Sequence, residues 1–170
     1  DLNRTRLIDN YGAFLAKASE FELSGDLEFM PWTAVPTVSD CLEIVQSVNT
    51  PNAGLLVDAL HWARSDQSIR SLKQIPESLV NYIQLCDAPR LCNPTTDQLI
   101  HTARSERLLP GSGDIDLVGM LSALPQGKVY SVEVPREAES SRLSPRERAE
   151  EALFCAKSVV DRVVQTNVIG

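Results

Sequence analysis

Four oxygen-bearing side chains stand within or just after short apolar runs. They are Glu28 in Leu27-Glu28-Phe29-Met30, Asp58 after Gly54-Leu55-Leu56-Val57, Gln84 in Tyr82-Ile83-Gln84-Leu85-Cys86, and Glu133 in Tyr130-Ser131-Val132-Glu133-Val134. Singly, each has an ordinary explanation: an acid at a strand end serves as a loop or helix-cap residue, and Gln84 as a hydrogen-bonded core amide. As the ends of neighbouring parallel strands, the four would converge. Three carboxylates about 4 Å apart repel by roughly 4 kcal/mol per pair at an effective dielectric of about 20. Such a group requires a cation, or some members take up protons. An all-oxygen donor set favours a hard divalent ion, Mg2+ or Mn2+.

The elements that would position these residues read as follows. Leu7, Tyr11, Phe14, Leu15, Ala18 and Phe21 recur at spacings of three and four, which predicts an amphipathic helix over 1–22, broken by Ser24-Gly25-Asp26. Strand–helix units then start near 27, 55, 82 and 130. Pro31 ends the first strand, and a helix over 36–48 follows, with Thr37 or Ser39 as its cap. The run at 54–57 suits a strand buried on both faces. A short helix is predicted over 65–73 and a strand over 82–86. The stretch 89–113 reads as long and irregular, with a helical turn around 97–104, and loops of that length are usually lids or binding loops. Asp114 or Asp116 caps a helix through Leu124, the last strand follows, and Ser144-Pro145-Arg146-Glu147 is a capping box opening a helix to about 164. A helix followed by four strand–helix units, without hairpin signals, predicts a parallel sheet with right-handed crossovers. A barrel of about 250 residues allots roughly 31 to each such unit. The first two gaps between the polar positions fit, and the third fits with an insertion in the irregular stretch.

The bulk numbers set the class. With 170 residues, 43% hydrophobic and 23% charged, the chain reads as one soluble globular domain. No apolar run reaches the roughly 18 residues of a membrane span, and a net charge of −7 argues against nucleic acid or an anionic membrane as partner. Cys41, Cys86, Cys92 and Cys155 lack paired metal-ligand spacing and read as free thiols of a cytoplasmic protein.

Five motifs in order give a resemblance to a known family. Leu27-Glu28-Phe29-Met30-Pro31-Trp32-Thr33, Leu56-Val57-Asp58-Ala59-Leu60-His61-Trp62-Ala63-Arg64, Tyr82-Ile83-Gln84-Leu85-Cys86-Asp87-Ala88-Pro89, Arg107-Leu108-Leu109-Pro110-Gly111-Ser112-Gly113 and Val132-Glu133-Val134-Pro135 resemble the xylose-isomerase-like TIM barrels. The nearest branch is that of sugar phosphate isomerases/epimerases and inosose-dehydratase-like proteins. The resemblance implies an α/β fold, a (β/α)8 TIM barrel of which residues 1–170 form the C-terminal half. It implies Glu28, Asp58, Gln84 and Glu133 as ligands of a divalent metal, Mn2+ or Mg2+ first, with Zn2+ or Co2+ also admitted. Many relatives carry histidine where Gln84 stands; glutamine occurs among dehydroshikimate-dehydratase-like members. Ser112 stands where an acid is expected. A DNA-repair nuclease of the related endonuclease type would need several histidines, and the chain has only His61 and His101.

The implied chemistry is that of a metal-dependent isomerase or epimerase acting on a sugar, sugar phosphate or polyol ketone through an enediolate. Glu28 and Glu133 would exchange the proton from opposite sides, with His61 as a further catalytic group. His61, Arg107 and Trp32 would bind the polyhydroxylated substrate. The alternatives are a dehydratase of the inosose or dehydroshikimate type, with His61 as the acid that assists loss of water, and a non-catalytic half-barrel assembly module. Two side chains also have structural readings: His61 as a helix-start residue packed under Trp62, and Arg107 as a surface partner of Glu106 and Asp87. The 110–114 loop reads as an ordinary turn ahead of a phosphate cradle. Four parallel strands leave two open edges, so a missing N-terminal half barrel, a self-pairing copy or an inactive remnant is expected.

Overall fold

The computed structural model describes residues 2–65 and 68–169. Four parallel strands form one sheet in the order β1-β2-β3-β4. They are β1 (Gly25–Glu28), β2 (Ala53–Asp58), β3 (Tyr82–Leu85) and β4 (Val129–Val132). The helices are α1 (Leu2–Ser19), α2 (Val38–Val48), α3 (Ala59–Arg64), α4 (Ile69–Leu72), α5 (Thr96–Ser105), α6 (Leu117–Ala123), α7 (Glu137–Ser140) and α8 (Pro145–Ile169). The four expected strand–helix units are therefore present, each strand within two residues of its predicted start. Outer strands β1 and β4 have no further strand beside them among the described residues.

Local chemistry accounts for the boundaries. The predicted first helix stops three residues early, because Leu23 N–H turns back to Ala18 O at 3.1 Å while Glu22 adopts a left-handed φ of 57°. Tyr11, Leu15 and Ala18 are buried as predicted, but Phe14 and Phe21 are exposed. Thr37 caps α2 by accepting Asp40 N–H at 3.1 Å. The helix predicted over 65–73 is the single turn α4; positions 66 and 67 lie outside the described residues. The stretch read as irregular contains α5, opened by a capping box: Thr95 Oγ1 accepts Gln98 N–H at 3.3 Å, and Gln98 Oε1 accepts Thr95 N–H at 2.8 Å. It is therefore no structureless lid. Asp116, not Asp114, caps α6 through Gly119 N–H at 2.9 Å. The Ser144–Glu147 box opens α8 as expected.

The register decides which side chains share a face. Glu28 is level with Leu56, Asp58 with Gln84, and Gln84 with Ser131. Alternate residues of a strand point the same way, so Glu28, Asp58, Gln84 and Glu133 all belong to one face at the carboxyl ends. The opposite face carries Leu55, Val57, Ile83 and Leu85, fully buried in a continuous core with Leu15, Ile44, Met120 and Val159 from the helices. The helices thus cover one face and leave the polar face for the site. No helix among the described residues is long and apolar enough to cross a membrane.

Candidate metal centre

Asp58 ends β2 and caps α3. Its Oδ1 accepts Leu60 N–H at 2.8 Å and His61 N–H at 3.0 Å, and its Oδ2 accepts Arg107 Nη1 at 2.6 Å. An ionised carboxylate offers about four lone-pair sites, so about one remains, on Oδ2. Asp58 is fully buried.

Arg107 reaches this point through a network organised by Asp87. The two backbones Asp87 and Leu108 exchange N–H···O bonds of 2.8 Å, and Arg107 N–H bonds Pro135 O at 3.2 Å, laying the segment after α5 across the ends of β3 and β4. The buried Asp87 carboxylate accepts the N–H groups of Ala88, Gly111 and Ile115 at 2.8, 3.0 and 3.1 Å. A Cβ on Gly113 would stand 2.4 Å from Asp87 Oδ1, so glycine is required for this approach. The 110–114 loop is thus a turn held by a carboxylate. Arg107 itself is 3% exposed and ion-paired with Asp58 and, at 2.7 Å, with Glu133 Oε2. This overturns the surface pairing with Glu106 and Asp87; Glu106 faces His101 at 3.2 Å instead.

Glu28 and His61 complete the near side. His61 Nε2 lies 3.5 Å from Glu28 Oε1. The imidazole packs edge-on against Trp32, with centroids 5.1 Å apart and planes at 82°, so Trp32 and not Trp62 is its stacking partner. Burial holds the His61 pKa below its ordinary value, and the ring is neutral at pH 7. Burial, with Asp58 and Glu133 nearby, pushes the Glu28 carboxyl up to about 7. One ligand atom from each of Glu28, Asp58 and His61 lies within 4.8 Å of the others. His61 is thereby a candidate ligand, a role the sequence reading did not give it. The Asp58-x-x-His61 spacing, cap and first helical turn, was the signal for this in the sequence.

Two atoms mark the centre as unsatisfied. Gln84 Oε1 and His61 Nδ1 are buried without a hydrogen-bond partner, as are four other side-chain atoms among the described residues, on Thr50, Trp62, Arg64 and Arg148; the first two alone face the acids, and buried polar atoms in folded proteins are seldom left so. With His61 neutral, three ionised acids and Arg107 sum to a charge of about −2, the complement of one divalent cation. Glu28 and Asp58 Oδ2 offer hard donors and His61 a nitrogen, with Gln84 Oε1 on the same face, whereas the predicted ligand Glu133 lies outside this 4.8 Å group and is tied to it through Arg107. The donor set fits a divalent metal.

The family described as xylose isomerase-like TIM barrel matches residues 1–158. The chain belongs to this family. It is 36% identical over 144 residues to inosose isomerase of Bacillus subtilis, covering 81% of this chain and 48% of that protein. It is 26% identical over 117 residues to 3-dehydroshikimate dehydratase of Pseudomonas aeruginosa, covering 68% of this chain and 18% of that protein. The crystal structure of the IOLI protein with a bound zinc atom superposes with a TM-score of 0.77 at 28% identity, covering 96% of this chain and 56% of that one. The chain thus spans about half the length of the inosose isomerase and IOLI chains.

Proposed function

We propose that this chain carries the metal centre of a divalent-metal-dependent enzyme that isomerises or epimerises a polyhydroxylated ketone of the inosose class through an enediolate. Glu28, Asp58, Gln84 and Glu133 would hold the cation. The observation that carries this reading is the buried, unpartnered Gln84 Oε1, level with Asp58 and on the face shared with Glu28 and Glu133. A divalent cation there would polarise the substrate's carbonyl and neighbouring hydroxyl, making the adjacent C–H acidic. The chain's own groups then move the proton. Glu28, 3.5 Å from His61 Nε2, would take the proton from the substrate and return it, and neutral His61 beside it can hydrogen-bond a substrate oxygen. Trp32 forms an apolar wall behind His61.

A lyase is the second reading, favoured by the dehydratase relative and by glutamine at position 84; there His61 would protonate the departing hydroxyl. A non-catalytic assembly module leaves the orphaned amide oxygen and the facing carboxylates without a reason. The test is a Mn2+ titration followed by melting temperature, coupled to NMR of inosose turnover in D2O by the full-length protein. The proposal expects a Mn2+-dependent rise in melting temperature that Gln84→Leu diminishes, and deuterium entering beside the carbonyl without loss of water. Loss of water would select the lyase. No thermal response and no exchange would sink the metal-enzyme reading.

A further inference from the structure

The sequence resemblance gives Arg107 to the substrate, but the geometry gives it almost wholly to the protein. Its Nε–H donates to Ala103 O at 2.9 Å, and its Nη1 donates to Asp58 Oδ2 at 2.6 Å and to Cys86 Sγ at 3.4 Å. Its Nη2 faces Glu133 Oε2 at 2.7 Å. A guanidinium has five N–H groups, so about one, on Nη2, remains. Bidentate capture of a carboxylate or phosphate needs two parallel N–H groups, and no such fork is left. Nor is the head free to swing: it is 3% exposed, lies on the fully buried Cys86, and its backbone is pinned at Pro135 O.

The groups it joins matter more than their number. Asp58 ends β2 and Glu133 follows β4, while Gln84 of β3, with its unpartnered oxygen, stands between them. Asp58 is already fixed by two backbone N–H groups. The Glu133 side chain is 47% exposed, and Arg107 is its one side-chain partner among the described residues. Without the guanidinium, Glu133 would rotate in solvent instead of presenting an oxygen to the centre.

We propose that Arg107 is the positioning residue of the metal centre, a clamp that holds Glu133 against Asp58 across Gln84 and so sets the cation affinity, rather than an anion receptor for the substrate. This rests on the metal reading above. The remaining N–H on Nη2 suits a neutral hydroxyl, in keeping with an uncharged polyol.

The test is Mn2+ binding by isothermal titration calorimetry on wild type, Arg107→Lys, Arg107→Gln, Glu133→Gln and the double variant Arg107→Lys/Glu133→Gln, with circular dichroism confirming the fold. Lysine keeps the charge but lacks the planar fork that spans Asp58 and Glu133 with fixed geometry. Partners that orient metal ligands typically carry about 10–100-fold in metal affinity, so Arg107→Lys is expected to weaken Mn2+ at least tenfold. If the clamp acts through Glu133, the double variant binds no worse than Glu133→Gln alone. Arg107→Lys with wild-type affinity would overturn the proposal. So would tighter binding by Arg107→Gln, which would make Arg107 only a charge that repels the metal. If Arg107→Gln fails to fold, Arg107→Lys decides alone. A wild type that binds no Mn2+ would remove the metal reading itself, a result distinct from any change among the variants.

Discussion

Glu28→Gln isolates the electrostatic load of the centre. Below pH 4.5 the Glu28 carboxyl is protonated in both folded and unfolded chains and contributes nothing. Between 4.5 and about 7 the unfolded chain has lost this proton while the metal-free fold keeps it, so stability falls as pH rises; above about 7 the loss is complete. At about 1.4 kcal/mol per tenfold change in acidity, the move from 4.5 to about 7 is worth roughly 3 kcal/mol. The side chain is 21% exposed, and solvent screening trims this to about 2 kcal/mol. Glutamine has no charge to desolvate. In a chelator, Glu28→Gln should match wild type near about pH 4 and exceed it by about 2 kcal/mol near about pH 8, read by urea denaturation at each pH. Saturating Mn2+ should reverse the order, because only the carboxylate gains from the cation. Metal-free curves that stay parallel at the two pH values would refute the reasoning, since nothing would then load Glu28.

Two further substitutions probe the supports of the site. Asp58→Asn keeps an oxygen to cap α3 but leaves the buried Arg107 facing an amide; breaking a buried pair costs about 3–5 kcal/mol, and a loss below about 1 kcal/mol in urea denaturation would contradict the pair's burial. Gly113→Ala drives a Cβ to within 2.4 Å of Asp87 Oδ1 and 2.6 Å of Ala88 O. Overpacking of this kind costs about 1–3 kcal/mol, and amide hydrogen exchange at Gly111 and Ile115 should quicken; unchanged protection there would show that Asp87 does not hold the loop.

What the sequence disclosed was what lies close along the chain. The apolar run stopping at Asp58 located the end of β2, and Ser144 and Glu147 located a helix start, because both signals are local; the fourth strand, read as running to Val134, ends at Val132. Helix α5 was read only as a helical turn around 97–104 in an irregular stretch, since its apolar content is slight: only Thr102 and Ala103 are buried, so periodicity was faint although the Thr95–Gln98 box was present. Helix α1 was overextended for the opposite reason. Phe21 continued the three-and-four spacing, but the left-handed turn at Glu22 ends the helix and leaves Phe21 in solvent. The partners of Arg107 were beyond reach, because Asp58 lies 49 positions away and nothing local to Arg107 selects it over Glu106 or Asp87. His61 on Trp32 is the same case: the neighbouring Trp62 was the nearer guess, and the strand-end loop brought the other ring.

The placement of Arg107 also separates two acids that the family resemblance treats alike. Glu133 and Asp58 share the guanidinium, at 2.7 and 2.6 Å, so one positive charge offsets about half of their combined negative charge. Glu28 has no cationic side chain in contact among the described residues; its neighbour is His61 at 3.5 Å, which burial keeps neutral. Burial first, and then the charges of Asp58 and Glu133, raise the metal-free Glu28 carboxyl to about 7. Acid–base roles divide where environments drive titratable groups apart. Under the proposed function, Glu28 is then the proton carrier and Glu133 the clamped ligand.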